Sequence, residues 1–401
     1  MCRSFLALQG AASPFFGHIA DALHLRRHSV RRVNFCGGDL IYAGREQAWN
    51  YSGAASEVGN WYREIIERHD FTDVLMFGDC REIHRPIHAL AEAAGVRIHV
   101  FEEGYVRPHW LTLERYGVNG RSKLPREPNW YIERRAATPS SPLGVATGYN
   151  LRDRAWHDIR YRAANSLFFA RFPHYRSHRP HNGLIEYMGL AQRAMRQKGH
   201  DREAETITRA VFATGFPYYL FPLQLNSDAQ VVVHSPFDGM RAAIEQVLRS
   251  FAGHAPSGAL LVVKNHPLDT GVIDYRMFTA RLCKELDIAH RVYFIDAGHL
   301  PTLLERAQGV VVVNSTVGLS ALHHGCPLIA LGTAIYDMTG LTWQGGLDAF
   351  WHGGTAPDKA LYQAFLDYVV HHTQINGDFY TKSGISMALP AIVARLEAAD
   401  V

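Results

Sequence analysis

The 401-residue chain is 47% hydrophobic and 20% charged with a formal net charge of +3, which predicts an ordinary globular protein with enough apolar mass for two cores. Its five cysteines are scattered without a CxxC pair, which excludes a disulfide framework or a zinc knuckle and favours reduced thiols in a cytoplasmic protein. The first apolar run is too short for a signal peptide, and no segment approaches the roughly 20 apolar residues of a membrane-spanning helix.

Short apolar runs alternate with amphipathic stretches along the whole chain, which predicts alternating strands and helices. In the first half, strands are predicted at 4–9, 30–35, 73–77 and 98–101, and helices at 18–27, 55–69 and 83–94. In the second half, strands are predicted at 218–223, 259–264, 292–295, 309–313 and 327–331, and helices at 186–198, 201–213, 237–251, 300–307, 317–324 and within 359–400.

This rhythm of apolar strands and helices is typical of parallel sheets covered on both faces. We therefore predict an α/β fold with two Rossmann-like, doubly wound domains that face each other across a cleft. The predicted domains are residues 1–200, with a basic insert near 121–181, and residues 201–358. The C-terminal helices of residues 359–401 are expected to pack back on the first domain.

Two carboxylates follow the strand at 98–101, and the permissive Gly104 comes directly after them. Because ligands bind outside the carboxyl ends of parallel strands, Glu102 and Glu103 are candidate catalytic residues. A closely spaced carboxylate pair suits an oxocarbenium-like transition state in retaining sugar chemistry. The neighbouring polar candidates are Asp79, Arg81, Arg107, His109 and Trp110. The alternatives are two solvated glutamates, or carboxylates that an arginine neutralises.

The best ligand-binding signal in the second half is the segment Asn314-Ser315-Thr316-Val317-Gly318, which follows a strand and opens a helix. Such a helix start presents backbone N–H groups to an anion, although an ordinary N-cap is the alternative. Lys264 and His266 end a neighbouring strand and would add a cation and a proton donor, unless His266 is only a loop residue. Together the two strand ends predict a phosphate site.

Basic charge is concentrated in residues 121–181, which hold twelve Lys and Arg but four acids. Within this window Trp156, Ile159, Ala163 and Leu167 recur at helical spacing among Arg154, Arg160, Arg162 and Arg171. A basic amphipathic helix can lie on an anionic membrane, and a core-packing helix with a solvated arginine face is the alternative. No recognition motif supports a nucleic-acid partner. The histidine spacing suggests no metal or other cofactor, and the absence of phosphate-loop or dinucleotide motifs argues against those enzyme classes.

Several motifs resemble those of the capsule polysaccharide biosynthesis proteins of the KpsS/LipB type. The matching segments cover nearly the whole chain and read FLALQGAASPFFGHIADAL, RVNFCGGD, FGDCREIHRP, VFEEGYVRPHWLTLE, GVNGRS, FPLQLNSDAQ, KNHPLD and NSTVGLSALHHGCPLIALG. The resemblance implies a GT-B-like fold and transfer, with retention, of 3-deoxy-D-manno-octulosonic acid (Kdo) from CMP-Kdo. It also implies a lysophosphatidylglycerol acceptor, a place at the inner-membrane surface, and other capsule assembly proteins as partners.

The same resemblance implies roles for individual residues. His266 and Pro267 match a His-Pro motif that contacts the CMP phosphate, and Ser315 and Thr316 match nucleotide-binding positions. Glu103 stands where related enzymes have an aspartate that is the proposed nucleophile. Arg107 is implied as a partner of the Kdo carboxylate, and Asp79 as a second acid or base. Arg81 is predicted as a further donor-binding residue. Two other functions stay open, a nucleotide-sugar epimerase of GT-B-like fold and a non-enzymatic capsule export or assembly adaptor.

Overall fold

The computed structural model describes residues 2–44, 48–177, 183–226 and 229–398. The chain divides into two compact units. The first contains Met1–Lys123, Pro139–His178 and Asp367–Val401, and the second contains Leu124–Thr138 and Arg179–Leu366. Each unit is built on its own mainly parallel sheet with helices, so the predicted α/β class with two doubly wound domains is confirmed.

The elements up to residue 167 are β1 (Ser4–Ala7), α1 (Phe15–Leu25), β2 (Ser29–Asn34), α2 (Gly37–Ile41), β3 (Ala48–Asn50), α3 (Val58–Arg68), β4 (Asp73–Phe77), α4 (Ile87–Ala93), β5 (Arg97–Glu103), β6 (Trp110–Arg115), α5 (Pro128–Arg134) and α6 (Leu151–Leu167). The first sheet takes all of these strands and β12 (Gln374–Asn376) from the C-terminal region, in the order β12-β6-β5-β4-β1-β2-β3. Strands β1 to β5 pair in parallel, whereas β6 is antiparallel to both of its neighbours.

The remaining elements are α7 (Gly183–Ala213), β7 (Tyr218–Pro222), α8 (Ala229–Val232), α9 (Met240–His254), β8 (Leu260–Lys264), α10 (Tyr275–Glu285), β9 (Val292–Ile295), α11 (Leu300–Leu304), β10 (Gly309–Val312), α12 (Val317–His323), β11 (Leu328–Ala330), α13 (Leu347–Gly353), α14 (Lys359–Thr373), β12 (Gln374–Asn376) and α15 (Lys382–Glu397). The second sheet runs in the order β11-β10-β7-β8-β9, and all of its pairs are parallel.

Helices cover both faces of the first sheet, as its near-continuous apolar strands require. One face packs against α1 and α15 through a core that includes Phe15, Phe101 and Ile392. The other face packs against α3 and α4 through a core that includes Tyr62 and Val100. In the second unit, the buried core joins α9, α10 and α13 to the sheet and includes Phe251, Val263, Cys283 and Trp351.

The structure differs from the predicted elements in several places. The segments 186–198 and 201–213 form one helix, α7, and it belongs to the second unit, because it packs on β9 and Arg193 contacts Asp296 there. The first unit takes Pro139–His178 and returns at Asp367–Val401, and the residues between these two segments belong to the second unit. The C-terminal region is interrupted by β12, which joins the first sheet, while α15 packs on α1. Ser227 and Asp228 of the predicted loop after β7, and residues 399–401, lie outside the described residues.

Strands β3, β6 and β12 were not predicted. The sequence pattern indicated only parallel pairing, whereas β6 and β12 pair in an antiparallel manner. Among the described residues, no helix is both long enough and apolar enough to cross a membrane.

A buried ionic network anchors the amino end of β4. The Asp73 side chain is fully buried and accepts hydrogen bonds from His99 (2.7 Å), Arg97 (2.8 Å) and the Thr72 hydroxyl (2.6 Å). Burial raises the pKa of Asp73, but these hydrogen bonds outweigh it and lower the pKa to about 2. Burial lowers the pKa of His99. A buried charge of this kind destabilises the fold strongly when its partners are removed.

We expect Asp73→Asn to lower the free energy of unfolding near neutral pH by about 3 kcal/mol, because Arg97 and His99 lose their shared carboxylate. The pKa of Asp73 falls from 3.8 in the unfolded chain to about 2 on folding, so its ionised form stabilises the protein above pH 3.8. The wild type and the variant should therefore converge in stability as the pH falls from 3.8 towards 2. Chemical denaturation across this pH range measures both effects. The matched control is Asp70→Asn at an exposed position, which should change stability by less than about 0.5 kcal/mol.

Candidate active site

The five parallel strands of the first sheet have the same order as the five strands of the second, and in each sheet the order reverses beside the first strand of the unit. The reversal lies between β1 and β4 in the first sheet and between β7 and β10 in the second. At such a switch point the connections leave in opposite directions, which opens a crevice at the carboxyl ends of the strands. The residues that follow these four strands are therefore the first candidates for ligand contact.

Gln9 is the centre of a buried hydrogen-bond network at the switch point of the first unit. Its amide nitrogen donates to Asp39 (3.0 Å) and Tyr161 (3.1 Å), and its amide oxygen accepts from Arg81 (2.8 Å). Asp39 in turn accepts from the Tyr161 hydroxyl (2.6 Å) and the Phe35 amide (3.0 Å). The network fixes the direction of the Gln9 amide and thereby holds Arg81. Gln9 was not among the predicted site residues, although it is the last residue of the first predicted strand.

Glu102 and Glu103 are the last two residues of β5 rather than the start of a loop. They pair with Thr112 and Leu111 of the antiparallel β6, which extends the strand beyond its predicted end. Successive side chains of a strand point to opposite faces of the sheet. The two carboxylates therefore do not form the predicted pair across one anomeric carbon, and each belongs to a separate environment.

Glu103 lies on the face of the sheet against which α15 packs, near Tyr380 of the segment that follows β12. Its Oε1 atom is 3.3 Å from a guanidinium nitrogen of Arg154 and accepts a 3.4 Å hydrogen bond from the Tyr380 hydroxyl. Arg154 also stacks on the Tyr380 ring at 5.2 Å. Both partners are about two-thirds buried, with 34% and 28% of the Arg154 and Glu103 side chains exposed. This arrangement orients the Glu103 carboxylate while leaving part of it accessible.

Glu102 borders Gly78 on the opposite side. Its Oε1 atom accepts the Glu103 amide at 3.0 Å. A Cβ atom on Gly78 would lie 3.4 Å from Glu102 Oε2 and 3.9 Å from Arg81 Nε, so both charged groups flank this glycine, which has a φ of +68°. Glu102 thus belongs to the Gln9 and Arg81 side of the site.

Helix α6 supplies Arg154 because two glycines let it approach α2 closely. A Cβ atom on Gly37 would overlap the Ala164 carbonyl, and one on Gly38 would overlap the Tyr161 ring. Arg154, Tyr161 and Ala164 recur at helical spacing and form the inward face of α6. The basic pattern assigned Arg154 to a surface, and Tyr161 was not among the predicted site residues. The inward stripe of Arg154, Tyr161 and Ala164 at helical spacing is the sequence signal that could have identified both.

The side chains predicted to contact acceptor or membrane lie mainly on the outward face of α6. Trp156 is 60% exposed and Ile159 is 45% exposed. Arg160 is exposed and its guanidinium lies 5.6 Å from the Tyr42 ring. Arg162 differs, because its side chain is only 20% exposed and pairs with Asp158 at 3.0 Å.

Asp79 and Arg107 each form a hydrogen bond with a main-chain group of the first unit. Asp79 is buried, and its carboxylate accepts from the Val118 amide (3.3 Å) and the Cys80 thiol (3.1 Å). This geometry lets Asp79 hold the loop after β6. Arg107 is exposed and donates from Nε to the Gly104 carbonyl at 3.2 Å.

In the second unit, Lys264 ends β8 at the carboxyl edge of the sheet and is only 7% exposed. Burial lowers its pKa, and the nearby Arg193 acts in the same direction. His266 Nδ1 accepts from the Leu268 amide at 3.1 Å, so the neutral ring carries its proton on Nε2. Pro267 follows at an exposed position. The edge thus combines a buried ammonium group with an imidazole that can donate a proton.

Asn314 joins the two strands at the switch point of the second unit. Its side-chain oxygen accepts from Gln224 (3.1 Å), and its amide nitrogen donates to the carbonyls of Gln230 (2.7 Å) and His234 (3.1 Å). The side chain of Asn314 therefore binds neighbouring segments of its own unit.

At the start of α12, two backbone N–H groups that were predicted to bind an anion already donate hydrogen bonds within the chain. The amides of Val317 and Gly318 already donate to oxygens of Ser315 (3.1 and 2.9 Å). The position of a Gly318 side chain is occupied by Tyr336, whose hydroxyl donates to the Ser315 carbonyl at 2.5 Å. Gly318 is therefore required for packing against Tyr336. Thr316 makes no capping hydrogen bond at this helix start.

These observations define a two-unit α/β protein with charged side chains gathered at the carboxyl edge of each sheet. The prediction that no metal takes part stays a prediction.

Comparison with known proteins identifies the family. Residues 72–380 match the model of the capsule polysaccharide biosynthesis protein family. The capsule polysaccharide export protein KpsS of Escherichia coli is 35% identical over 379 residues, which are 94% of this chain and 97% of that protein. The capsule polysaccharide modification protein LipB of Neisseria meningitidis serogroup A is 33% identical over 388 residues, 95% of this chain and 92% of that protein. The chain therefore belongs to the capsule polysaccharide biosynthesis protein family, and the predicted resemblance is confirmed.

Among solved structures, the β-Kdo 2,7 transferase KpsC of Thermosulfurimonas dismutans aligns with 98% of this chain and 100% of its own chain. Its sequence identity is 14% and the TM-score is 0.46.

We expect Gly104→Ala to destabilise the turn that follows Glu103, because the new Cβ atom would overlap the Trp110 carbonyl oxygen. The free energy of unfolding should fall by about 1–3 kcal/mol, as for other overpacked sites. The control is Gly253→Ala, which lies in α9 with no neighbouring atom within 4 Å and should be stabilising by about 0.5–1 kcal/mol. Equal melting temperatures for the wild type and Gly104→Ala would contradict the packing described.

Proposed function

We propose that this protein is a retaining glycosyltransferase that moves β-Kdo from CMP-Kdo to a lysophosphatidylglycerol-type lipid and so begins the linker of a capsular polysaccharide. Family membership supports the capsule context. The observation that carries the chemistry is the Glu103 carboxylate, oriented by Arg154 and Tyr380 at the carboxyl edge of the first sheet. A carboxylate at such a position is suited to stabilise or to attack an anomeric centre.

In the proposed reaction the carbohydrate is transferred in two displacements. A Glu103 oxygen forms a bond to the anomeric carbon of Kdo while the bond from that carbon to the CMP phosphate oxygen breaks, and its electron pair leaves with CMP. The acceptor hydroxyl then attacks the same carbon, its proton passes to a general base, and the Glu103 carboxylate is released. Two inversions give net retention. Arg107 is the proposed partner of the Kdo carboxylate.

Departure of CMP requires its phosphate charge to be stabilised. Lys264 supplies a positive charge in a buried setting, and His266 presents a proton on Nε2. The Ser315 and Thr316 hydroxyls at the start of α12 are further proposed donors. We therefore assign the donor phosphate to the edge of the second sheet.

A lipid acceptor requires the enzyme to work at a membrane surface. The outward face of α6 carries the exposed apolar side chains Trp156, Ile159 and Leu167, and the exposed Arg152 and Arg160 flank them. Apolar side chains enter the interface, while arginines attract anionic headgroups. We assign this face to reversible membrane binding.

Glu103→Gln should reduce Kdo transfer by about 10³-fold or more, because an amide does not replace the nucleophile. The measurement is mass spectrometry of a fluorescent lysophosphatidylglycerol incubated with CMP-Kdo generated in situ. His266→Ala should reduce transfer by about 10²-fold through loss of phosphate stabilisation. Matched controls are Glu67→Gln and His290→Ala, both at exposed positions, which should retain wild-type rates.

Three outcomes would reject this assignment. If the wild type leaves both lipid and CMP-Kdo unchanged, the donor or the acceptor is wrong. Turnover of a UDP-sugar without acceptor would favour an epimerase. If Glu103→Gln transfers Kdo at the wild-type rate while Glu102→Gln does not, the nucleophile is Glu102.

Membrane binding is expected to depend on the outward face of α6. Trp156→Ser combined with Ile159→Ser should weaken binding to phosphatidylglycerol vesicles by about tenfold or more, since each side chain loses apolar contact with the interface. Vesicle sedimentation measures the effect, with phosphatidylcholine vesicles as the neutral reference. Leu25→Ser is the control, because Leu25 is 86% exposed on α1. Equal loss of binding in the control would exclude a specific role for α6.

A further inference from the structure

A small charged cavity lies at the switch point of the first unit. Its volume is about 60 Å³, and a single water molecule needs about 10–15 Å³ by the same measure. The side chains that line it and bear on ligand binding are Tyr51, Arg81, Glu82, His174, Tyr175 and Arg176. Two arginines and a histidine against one exposed glutamate make the cavity suited to an anion.

Arg81 keeps its positive charge available within this cavity. In the described part of the chain, its guanidinium donates to neutral oxygens, those of the Gln9 amide (2.8 Å) and the Gly10 carbonyl (3.2 Å). The guanidinium also lies over the Phe77 ring at 5.2 Å. Gln9 is itself fixed by the buried Asp39 and Tyr161, so Arg81 is held in place. A guanidinium held by neutral oxygens can also donate to a phosphate.

A second, larger cavity adjoins the first. Its volume is about 350 Å³, and it shares the lining residues Tyr175 and Ser177 with the charged cavity. Phe169, Phe172 and Pro173 contribute its apolar surface. Phe169 follows the C-terminal end of α6 and is 70% exposed, so the apolar surface continues to the outside of the unit.

We propose that these two cavities together bind a single-chain anionic phospholipid, with its phosphate at Arg81 and Arg176 and its acyl chain along Phe169 and Phe172. The charge of the first cavity and the apolar lining of the second match the two ends of such a molecule. The inference rests on the proposed function in one respect, that this lipid is the acceptor of the transferred sugar. It assigns Arg81 to the acceptor rather than to the donor.

Calorimetric titration of the full chain with octanoyl lysophosphatidylglycerol, below its micelle concentration and without CMP-Kdo, tests the site independently of transfer. Arg176→Gln at an exposed position should weaken binding by about tenfold, as should Arg81→Gln, because each removes a charged hydrogen-bond donor to the phosphate. Arg68→Gln is the matched control, since Arg68 is 70% exposed on α3 and lines neither cavity. Melting temperatures check that Arg81→Gln folds.

The acyl end is tested by comparing octanoyl and decanoyl lipids. The longer chain should bind the wild type about tenfold more tightly, and Phe169→Ser should reduce this gain. Monooctanoylglycerol, which lacks the phosphate, should bind the wild type and both arginine variants equally.

The proposal is overturned if Arg81→Gln and Arg176→Gln bind the phospholipid as tightly as Arg68→Gln does, or if they weaken monooctanoylglycerol to the same extent. A wild type that binds the lipid with the expected dependence but transfers no Kdo would retain this site and reject the glycosyltransferase proposal. Transfer to a lipid whose binding does not depend on these arginines would retain the glycosyltransferase proposal and reject this site.

Discussion

The arrangement of the candidate site depends on one topological constraint, the reversal of strand order beside the first strand of each unit. Parallel strands bring their carboxyl ends to one edge, and the reversal opens that edge because the connections diverge there. Gln9 and Arg81 meet across β1 and β4 for this reason, and Gln224 and Asn314 meet across β7 and β10. Each unit therefore places polar groups where its own backbone leaves space for them.

Helix α6 has two distinct faces because a helix repeats its side-chain directions every few residues. Arg154 and Tyr161 point inward, to Glu103 and to the Gln9 network, whereas Trp156 and Ile159 are exposed. Gly37 and Gly38 of α2 make the inward contact close enough for hydrogen bonding. In the proposed function, one element thus orients the nucleophile and contacts the membrane that carries the acceptor, which links catalysis to the lipid surface.

Much of the fold was predictable, whereas the site was predictable only in part. The strand at 73–77 and the strand at 292–295 have their predicted bounds, since each is a short apolar run with clear ends. Strand β6 was missed because the sequence pattern indicated only parallel pairing, whereas β6 pairs antiparallel with β5, which directly precedes it. Without β6, Glu102 and Glu103 read as a loop pair, although they are strand residues on opposite faces. Gly318 was assigned to phosphate approach, but its space is filled by Tyr336.

The alternation of strands and helices, the α/β class, the family and the concentration of basic charge can be read from the sequence, because these properties belong to short segments and to composition. The charged groups that meet in the site depend on the tertiary fold. The contact of Arg154 with Glu103 and the hold of Gln9 on Arg81 join segments that are distant in the chain. Such contacts depend on strand pairing and on the close approach of α6 to α2, and no local pattern of side chains encodes either.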